Sequence, residues 1–320
     1  MRLQTEHLAT LLAIVDLGTF EAAARHLHVT PSAVSQRVKA LEAAVGQVLV
    51  VRAVPCRATT AGEALVRLGR QQLLLESETL AVLAPARGAR VDLPVAVNAD
   101  SVEAWFADVL PVVAGWDDVV LRVHVEDQDH SARLLRSGEV LGAVTSDPTP
   151  VQGCSTEPLV TLRYLPTVVP ALLERHRRGR RVDWAALPVV RFNAKDDIQQ
   201  RVLDRHGVAE PPPTHEVPDG HGFATAVRAG LGWGALLEAQ AAPALASGEL
   251  VRLGARDHVD VPLYWQRWRL ASEPLDRLSA AIRTAAATVA TPGRPPGSGR
   301  SARAGRPARA ATSTTRHTPR

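Results

Sequence analysis

The sequence predicts an α+β protein in which a small helical domain precedes a larger α/β domain. Three patterns carry this prediction. Residues 19–42 have the spacing of two short helices joined by a tight turn. Residues 61–84 form a long helical pattern with leucines close to a heptad track. From residue 92 onward, strand and helix patterns alternate, which is typical of a mostly parallel α/β sheet.

The chain opens with an amphipathic helix. Thr5 is predicted to cap its start, and Gly18 stands where a left-handed residue would end it. One face of this helix is apolar and should brace the pair of helices that follows: Leu8, Leu11, Leu12 and Val15.

The second helix of the pair is predicted to begin at Pro31, because Pro suits the first helical position and Thr30 can cap it. One side is apolar and should be core: Val34, Val38, Leu41 and Val45. The other side is small or polar and suits base edges and phosphates: Pro31, Ser32, Ala33, Ser35, Gln36 and Lys39. The preceding helix, with Ala23 and Ala24, allows the close crossing of a helix-turn-helix. An ordinary helical hairpin with a solvated polar face would show the same spacing.

A short hairpin, or wing, is predicted around Pro55. Arg52 and Arg57 flank its tip, and we expect them to contact DNA phosphates or the minor groove. The alternative is that both are ordinary surface arginines.

The long helix is predicted to start with a capping box of Thr60 and Glu63. Its near-heptad positions indicate a dimerising linker: Leu65, Leu68, Leu75 and Val82. Gln72 and Thr79 interrupt the track and could fix its register. A helix that packs on its own domain is the alternative.

A hinge is predicted at Pro85, Gly88 and Pro94. After it, helices are predicted to begin near positions that each follow a strand pattern: Ser101, His130, Ala171, Asp197, Gly222 and Glu273.

Residues 17–52 resemble the N-terminal domain of the LysR-type transcriptional regulators. The match runs through these positions: Gly18, Phe20, Ala23, Ala24, Leu27, Ser32, Val34, Ser35, Leu41, Glu42, Gly46, Leu49 and Arg52. The later segments VNADSVEAWF, VEDQDHSARLLRSGEVLGAVTSDP and LYWQRW are similar to the ArgP/LysG (chromosome-initiation-inhibitor) subfamily, whose members sense lysine or arginine and control export of basic amino acids.

The resemblance implies a winged helix-turn-helix, a linker helix and two effector subdomains of the periplasmic-binding-protein-like type around a small-molecule cleft. The expected bounds are 1–60 for the DNA-binding domain, 61–84 for the linker, 92–161 plus 268–290 and 162–267 for the subdomains, and 291–320 for a disordered tail. Crossover strands are expected near 161–167 and 264–268. Dimers through the linker, and pairs of dimers through the α/β domains, are implied as well.

Three sets of residues are candidates for the effector site. Ser101 begins a helix directly after a strand, so its hydroxyl and N–H suit an α-carboxylate, while Asp100 and Glu103 read as a capping box. Acids suit the cationic groups of the ligand, and two pairs stand where a strand ends or joins a helix: Glu126 and Asp127 in the first half, and Asp196 and Asp197 in the second. Asn193, just before the second pair, is a further candidate. Simple helix capping and solvated loop acids are the alternatives.

The charge distribution and the absence of known motifs argue against several classes of function. Residues 291–320 hold seven arginines and no acid, so the other 290 residues carry 30 basic and 33 acidic groups. No catalytic, phosphate-loop, dinucleotide or metal-binding motif is present, so we expect no catalytic residue, cofactor or metal. Two cysteines, Cys56 and Cys154, are expected to be reduced. No apolar run is long enough to span a membrane, which favours a cytoplasmic location.

The predicted partners are double-stranded DNA with a dyad-related operator, a lysine or arginine effector, further copies of the chain in a homodimer or homotetramer, and RNA polymerase. Two other functions remain open. One is a DNA-structuring or replication-inhibiting protein whose effector cleft is vestigial, and the other is a thiol redox switch.

Overall fold

The computed structural model describes residues 3–83, 90–126 and 128–289. The hinge positions Pro85 and Gly88, the acid Asp127 and the tail 291–320 lie outside the described residues. Pro94, which was predicted to belong to the hinge, lies inside a strand.

The N-terminal part is a winged helix-turn-helix followed by a long helix: α1 Thr5–Leu17, α2 Phe20–His26, α3 Pro31–Val45, β1 Val50–Val51, β2 Arg57–Ala58 and α4 Thr60–Leu83. At the start of α3, Thr30 Oγ1 accepts a hydrogen bond from the Ala33 N–H at 3.2 Å, as predicted. Gly18 and Gly46 end α1 and α3 with φ of 74°. This confirms the Gly18 cap, since only glycine adopts that conformation freely.

The predicted Thr5 cap is wrong. Thr5 is the first helical residue of α1, Gln4 occupies the cap position, and no side chain caps the helix there. The Thr5 hydroxyl instead accepts a hydrogen bond from Gln72 Nε2 of α4 at 2.9 Å. Thr5 therefore ties the first helix to the linker helix.

The predicted cap of α4 is also displaced by one residue. The Gly62 N–H donates to Thr59 Oγ1 at 3.1 Å, so Thr59 rather than Thr60 caps this helix. Gly69 lies so close to α1 that an added Cβ would be 2.9 Å from Leu12 Cδ1. The helix thus packs on its own domain along one face. Another face leaves large apolar side chains exposed in the described chain: Leu68, Leu73, Leu75, Leu80, Val82 and Leu83.

The second part alternates strands and helices: β3 Val91–Val97, α5 Ala99–Ala104, a 3₁₀ turn Phe106–Asp108, α6 Val109–Ala114, β4 Val119–Val125, α7 Gln128–Ser137, β5 Gly142–Thr145, β6 Cys154–Val168, α8 Pro170–Arg175, β7 Arg177–Arg178, β8 Arg181–Val182, β9 Val189–Arg191, α9 Ile198–Arg205, β10 Thr214–Glu216, α10 Gly220–Arg228, β11 Gly234–Leu237, α11 Glu238–Ser247, β12 Val251–Arg252, β13 Val259–Trp268 and α12 Glu273–Thr288. The helices α6 and α11 and the hairpin β7–β8 had no counterpart in the sequence prediction.

The main sheet has the strand order β11-β6-β13-β5-β3-β4, with β12 also paired to β6. Within it, only β3–β4 and β3–β5 pair in parallel, so the predicted mostly parallel sheet is wrong. The reason is that β13 pairs antiparallel with β6 along the whole length of β13, from Val259 opposite Tyr164 to Trp268 opposite Cys154. They connect the β5-β3-β4 half to the β11-β12 half, and both begin earlier than the predicted crossovers.

The hydrophobic core of the α/β part lies against the main sheet and contains several tryptophan side chains. Trp105, Trp265 and Trp268 are fully buried. Gly142 faces the Trp265 ring so closely that a Cβ there would lie 2.3 Å from the ring carbon Cη2. A smaller apolar cluster forms around Val190 and Phe223 in the second half. Among the described helices, none is long and apolar enough to cross a membrane.

Candidate functional site

The outer face of α3 is polar and open. Pro31, Ser32, Gln36 and Lys39 are exposed, whereas Ala33 and Ser35 are half-buried and Val34, Val38 and Leu41 are buried on the opposite side. Arg37 binds Glu6 of α1 at 3.0 Å and so fixes α3 against the first helix. Within the described chain, no hydrogen bond or ion pair engages the Gln36 or Lys39 side chain. Both are therefore available to an external partner.

The wing carries the two arginines that were predicted to contact DNA. Arg52 and Arg57 are exposed at the ends of β1 and β2, which pair through Val51 and Arg57. The Arg52 guanidinium lies 5.1 Å from the centroid of the Phe20 ring in α2. This cation–π contact holds the positive charge next to the helix-turn-helix, where it can meet a phosphate.

A cleft of about 660 Å³ opens between the two halves of the α/β part. Its size suits a small molecule. Four of the predicted effector residues line it: Glu126, Asn193, Asp196 and Asp197. Ser101 does not line it, because its side chain is fully buried and its N–H donates to the Asn98 oxygen at 3.1 Å. The further lining residues, none of which was predicted as a ligand, include Asn98, Asp100, Glu103, Tyr164 and Gln240.

The predicted capping box of Asp100 and Glu103 is wrong. Helix α5 begins at Ala99, Asn98 holds the cap position, and no side chain caps it. Asp100 Oδ2 instead accepts a hydrogen bond from the Tyr164 hydroxyl of β6 at 2.5 Å. Burial raises the pKa of Asp100; the Tyr164 hydrogen bond opposes the shift, and the charges of Asp196 and Glu103 add to it. Burial and Asp100 also raise the pKa of Tyr164 well above its usual range.

Glu103 reaches across the cleft to the second half. Gln240 Nε2 of α11 donates to Glu103 Oε2 at 2.8 Å. At Gly220, the first residue of α10, an added Cβ would lie 1.9 Å from Glu103 Oε1. A side chain at position 220 would therefore displace this carboxylate. Asp100 and Glu103 place two carboxylates of α5 against groups of the opposite wall.

The acids of the second half are engaged within their own segment. Asp196 accepts hydrogen bonds from the Phe192 N–H at 3.0 Å and the Ile198 N–H at 3.1 Å. With its amide nitrogen facing the carboxylate, Gln199 also donates to both Asp196 oxygens, at 3.0 and 2.9 Å. Burial nevertheless raises the pKa of Asp196. Its carboxylate thus shapes the loop before α9.

Asp197 and Asn193 are similarly occupied. Asp197 forms an ion pair with Arg201 at 2.8 Å, and Asn193 Oδ1 accepts from the backbone N–H of Lys195 at 2.8 Å. These two side chains therefore belong to the rim and the loop. On α5, Asp100 and Glu103 accept hydrogen bonds from the neutral donors Tyr164 and Gln240 and have no cationic partner among the described residues.

The cleft is strongly acidic. The described residues that line it include one ammonium group, that of Lys195, and five carboxyl groups: Asp100, Glu103, Glu126, Asp196 and Asp197. Such a surface attracts a positively charged ligand, because opposite charges interact strongly in a partly desolvated site. Among the described residues, no three His, Cys, Asp or Glu side chains are placed so that they could hold a metal ion together.

The two thiols are placed unfavourably for redox chemistry. Cys56 and Cys154 are both buried and free. Burial raises the pKa of Cys154 to about 11, although Arg67 and Arg269 act in the opposite direction. A thiol with a raised pKa forms little of the reactive thiolate at neutral pH.

Known proteins share this architecture. Residues 5–63 match the family described as bacterial regulatory helix-turn-helix protein, lysR family, and residues 86–291 match the LysR substrate binding domain. The lysine export transcriptional regulatory protein LysG of Corynebacterium glutamicum is 48% identical over 283 residues, which are 87% of this chain and 96% of that protein.

Two solved structures cover nearly the whole chain. Full-length LysG of Corynebacterium glutamicum with bound effector Arg superposes with a TM-score of 0.80 at 46% identity, covering 90% of this chain and 100% of that one. ArgP from Mycobacterium tuberculosis gives a TM-score of 0.82 at 48% identity, covering 90% and 99%. From the winged helix-turn-helix to the acidic cleft, the chain belongs to the LysR family of bacterial regulatory proteins.

Proposed function

We propose that the chain is a sequence-specific transcriptional regulator whose cleft binds lysine or arginine and which controls export of a basic amino acid. The observation that supports this most strongly is the charge of the cleft, whose described lining residues include five carboxyl groups and one ammonium group. The relatives named for lysine export, and the structure of LysG with bound effector Arg, support the same ligand class. The proposal includes no catalytic activity.

Within the cleft, we assign the cationic groups of the ligand to α5. Asp100 and Glu103 are held in place by the neutral donors Tyr164 and Gln240, so their negative charge is not yet balanced by a cation. Asn98 Oδ1 is buried without a hydrogen-bond donor among the described residues, and Asn98 lines the cleft. An ammonium or guanidinium group would satisfy all three acceptors.

On the DNA side, the α3 face of Ser32, Gln36 and Lys39 reads base edges while Arg52 and Arg57 hold the backbone. The exposed leucines of α4 pair two copies, and two such dimers form a tetramer through the α/β parts. A symmetric pair of α3 helices requires a dyad-related operator. The regulator acts on chromosomal DNA in the cytoplasm, and RNA polymerase is the partner through which it alters transcription.

A chain of contacts joins the cleft to the DNA-binding part. Helix α7 follows the cleft residue Glu126 and ends at Ser137. The Ser137 carbonyl oxygen accepts a hydrogen bond at 3.1 Å from Arg70 of α4, and Arg70 also forms an ion pair with Asp16 of α1. If a ligand binds one arrangement of the cleft more tightly than another, it favours that arrangement. Through the contacts of Arg70, this change can shift the position of α1 and α4.

Thermal shift with a panel of amino acids, combined with footprinting, tests the proposal. We expect lysine or arginine to raise the melting temperature, because a ligand that binds only the folded state stabilises it. Footprinting should show a discrete dyad-related site whose protection changes when that amino acid is added. Broad protection without a site, together with no stabilisation by any amino acid, would favour a DNA-structuring protein with a vestigial cleft.

A further inference from the structure

The hairpin β7–β8 is an arginine-rich surface outside both proposed sites. Residues 175–181 read RHRRGRR, with five arginines in seven positions. All five arginines are exposed. We call residues 175–181 the arginine hairpin. Including its flanking acids Glu174 and Asp183, the segment has five positive and two negative charges, a net charge of +3 with His176 neutral.

The hairpin projects from a firm base. His176 and Asp183 close the base, since the Asp183 N–H donates to the His176 oxygen at 2.8 Å. Trp184, the next residue, is buried and stacks on the His206 ring at 4.2 Å. At the tip, Gly179 has φ of +65°, and a Cβ added there would meet no atom within 4 Å. The tip is therefore open space around a tight turn that favours glycine.

The arginines differ in how they are held. Arg177 pairs with Glu174 at 2.8 Å and Arg178 pairs with Asp183 at 2.7 Å. For Arg175, Arg180 and Arg181, no carboxylate lies within ion-pairing distance in the described parts of the chain. Three guanidinium groups are thus presented to solvent, Arg175 at the end of α8 and Arg180 and Arg181 on the β7–β8 hairpin.

We propose that the arginine hairpin binds the phosphate backbone of DNA and adds sequence-independent affinity to that of the winged helix-turn-helix. Guanidinium forks match phosphate oxygens, and neutralising phosphates releases counterions. A protein partner fits less well, because protein interfaces are centred on buried apolar and aromatic anchors. No large apolar side chain is exposed on the described hairpin or its flanks, residues 171–183.

The test compares three variants on a mixed-sequence duplex of about 60 base pairs by fluorescence anisotropy over a salt series. The first removes the three free charges: Arg175→Gln, Arg180→Gln and Arg181→Gln. The matched control removes the same net charge from exposed positions elsewhere: Arg90→Gln, Arg256→Gln and Arg269→Gln. The third keeps the charge with lysine at positions 175, 180 and 181. Thermal melting shows whether each variant is folded.

We expect the glutamine hairpin variant to bind roughly tenfold more weakly near 0.1 M salt, and its slope of log affinity against log salt to fall by about 1–3. The control variant should stay close to the parent, and the lysine variant should keep most of the slope because its charge is unchanged. Equal effects of hairpin and control variants, or no effect of either, would overturn the proposal. A parallel titration with polyglutamate completes the test. A loss confined to polyglutamate binding, with duplex binding unchanged, would overturn the proposal and identify an acidic protein partner instead.

Discussion

Replacing Asp100 by Asn should weaken binding of lysine and arginine strongly. The substitution keeps the shape of the side chain and a hydrogen-bond acceptor for Tyr164, but removes the negative charge that we assign to the ligand's cation. Truncating one partner of a desolvated charge pair costs about 2–5 kcal/mol. At about 1.4 kcal/mol per tenfold change, this corresponds to a loss of roughly 30-fold to several thousandfold in affinity.

The matched control is Asp197→Asn at the rim of the same cleft. Asp197 is already paired with Arg201 and its side chain is 60% exposed. Removing its charge should therefore weaken the free energy of ligand binding by less than about 1 kcal/mol. Tyr164→Phe keeps the charge of Asp100 and removes the hydrogen bond that positions it. We expect the free energy of ligand binding to weaken by about 0.5–1.5 kcal/mol.

Isothermal titration calorimetry of the three variants with arginine gives all the affinities directly. The order of loss should be Asp100→Asn, then Tyr164→Phe, then Asp197→Asn. Equal affinities of Asp100→Asn and the parent would refute the assignment of the cation to α5, provided that both proteins melt at similar temperatures. A larger loss from Asp197→Asn than from Asp100→Asn would move the cation to the other wall.

Four other outcomes follow from the same structure. Gln36→Ala should reduce discrimination between operator and mismatched duplexes by about 1–3 kcal/mol in a competition binding assay, and an unchanged preference would show that another face reads the bases. Leu68→Asp should give monomers by light scattering, because it places a charge on the exposed apolar face of α4; a persistent dimer would place the interface elsewhere. Arginine affinity should rise with pH through the raised pKa of Asp100 and level off above it, because the ligand's cation favours the ionised carboxylate, so that binding releases a proton. Calorimetry in buffers of different ionisation enthalpy measures the number of protons released, and the control is Asp100→Asn, whose affinity should not change with pH in this range. Gly142→Ala should lower the free energy of unfolding by about 1–3 kcal/mol in denaturant melts, because its Cβ would overlap Trp265; an unchanged stability would contradict this packing.

Local patterns predicted the DNA-binding part well. Helix-turn-helix spacing, Pro31 and the caps at Thr30 and Gly18 are decided by neighbours in sequence, and the structure has them as expected. The cap predicted at Thr60 moved to Thr59, because two adjacent threonines stand at the start of α4 and either hydroxyl could cap it. The Thr5 cap was wrong because Thr5 is the first helical residue of α1 and its hydroxyl binds the Gln72 side chain, a contact that the sequence does not reveal.

The sheet and the cleft were harder to predict because they depend on residues far apart in the chain. β6 and β13 pair across about a hundred residues of sequence, and their antiparallel register cannot be deduced from alternation alone. The acid pattern at positions 100 and 103 was visible, but helix capping explained it equally well. Tyr164 and Gln240 gave no signal, since only the fold brings them to α5. Conversely, Ser101 looked exposed at a helix start and is buried, because α5 begins earlier.

Recognition of a basic amino acid by the acidic cleft can be measured by calorimetric titration of the full chain with lysine, arginine, glutamate and leucine. We expect saturable one-site binding of lysine or arginine, weakened in Asp100→Asn, and no detectable binding of glutamate or leucine. Binding of leucine or glutamate in preference to both basic amino acids, or no binding of any of the four, would contradict it.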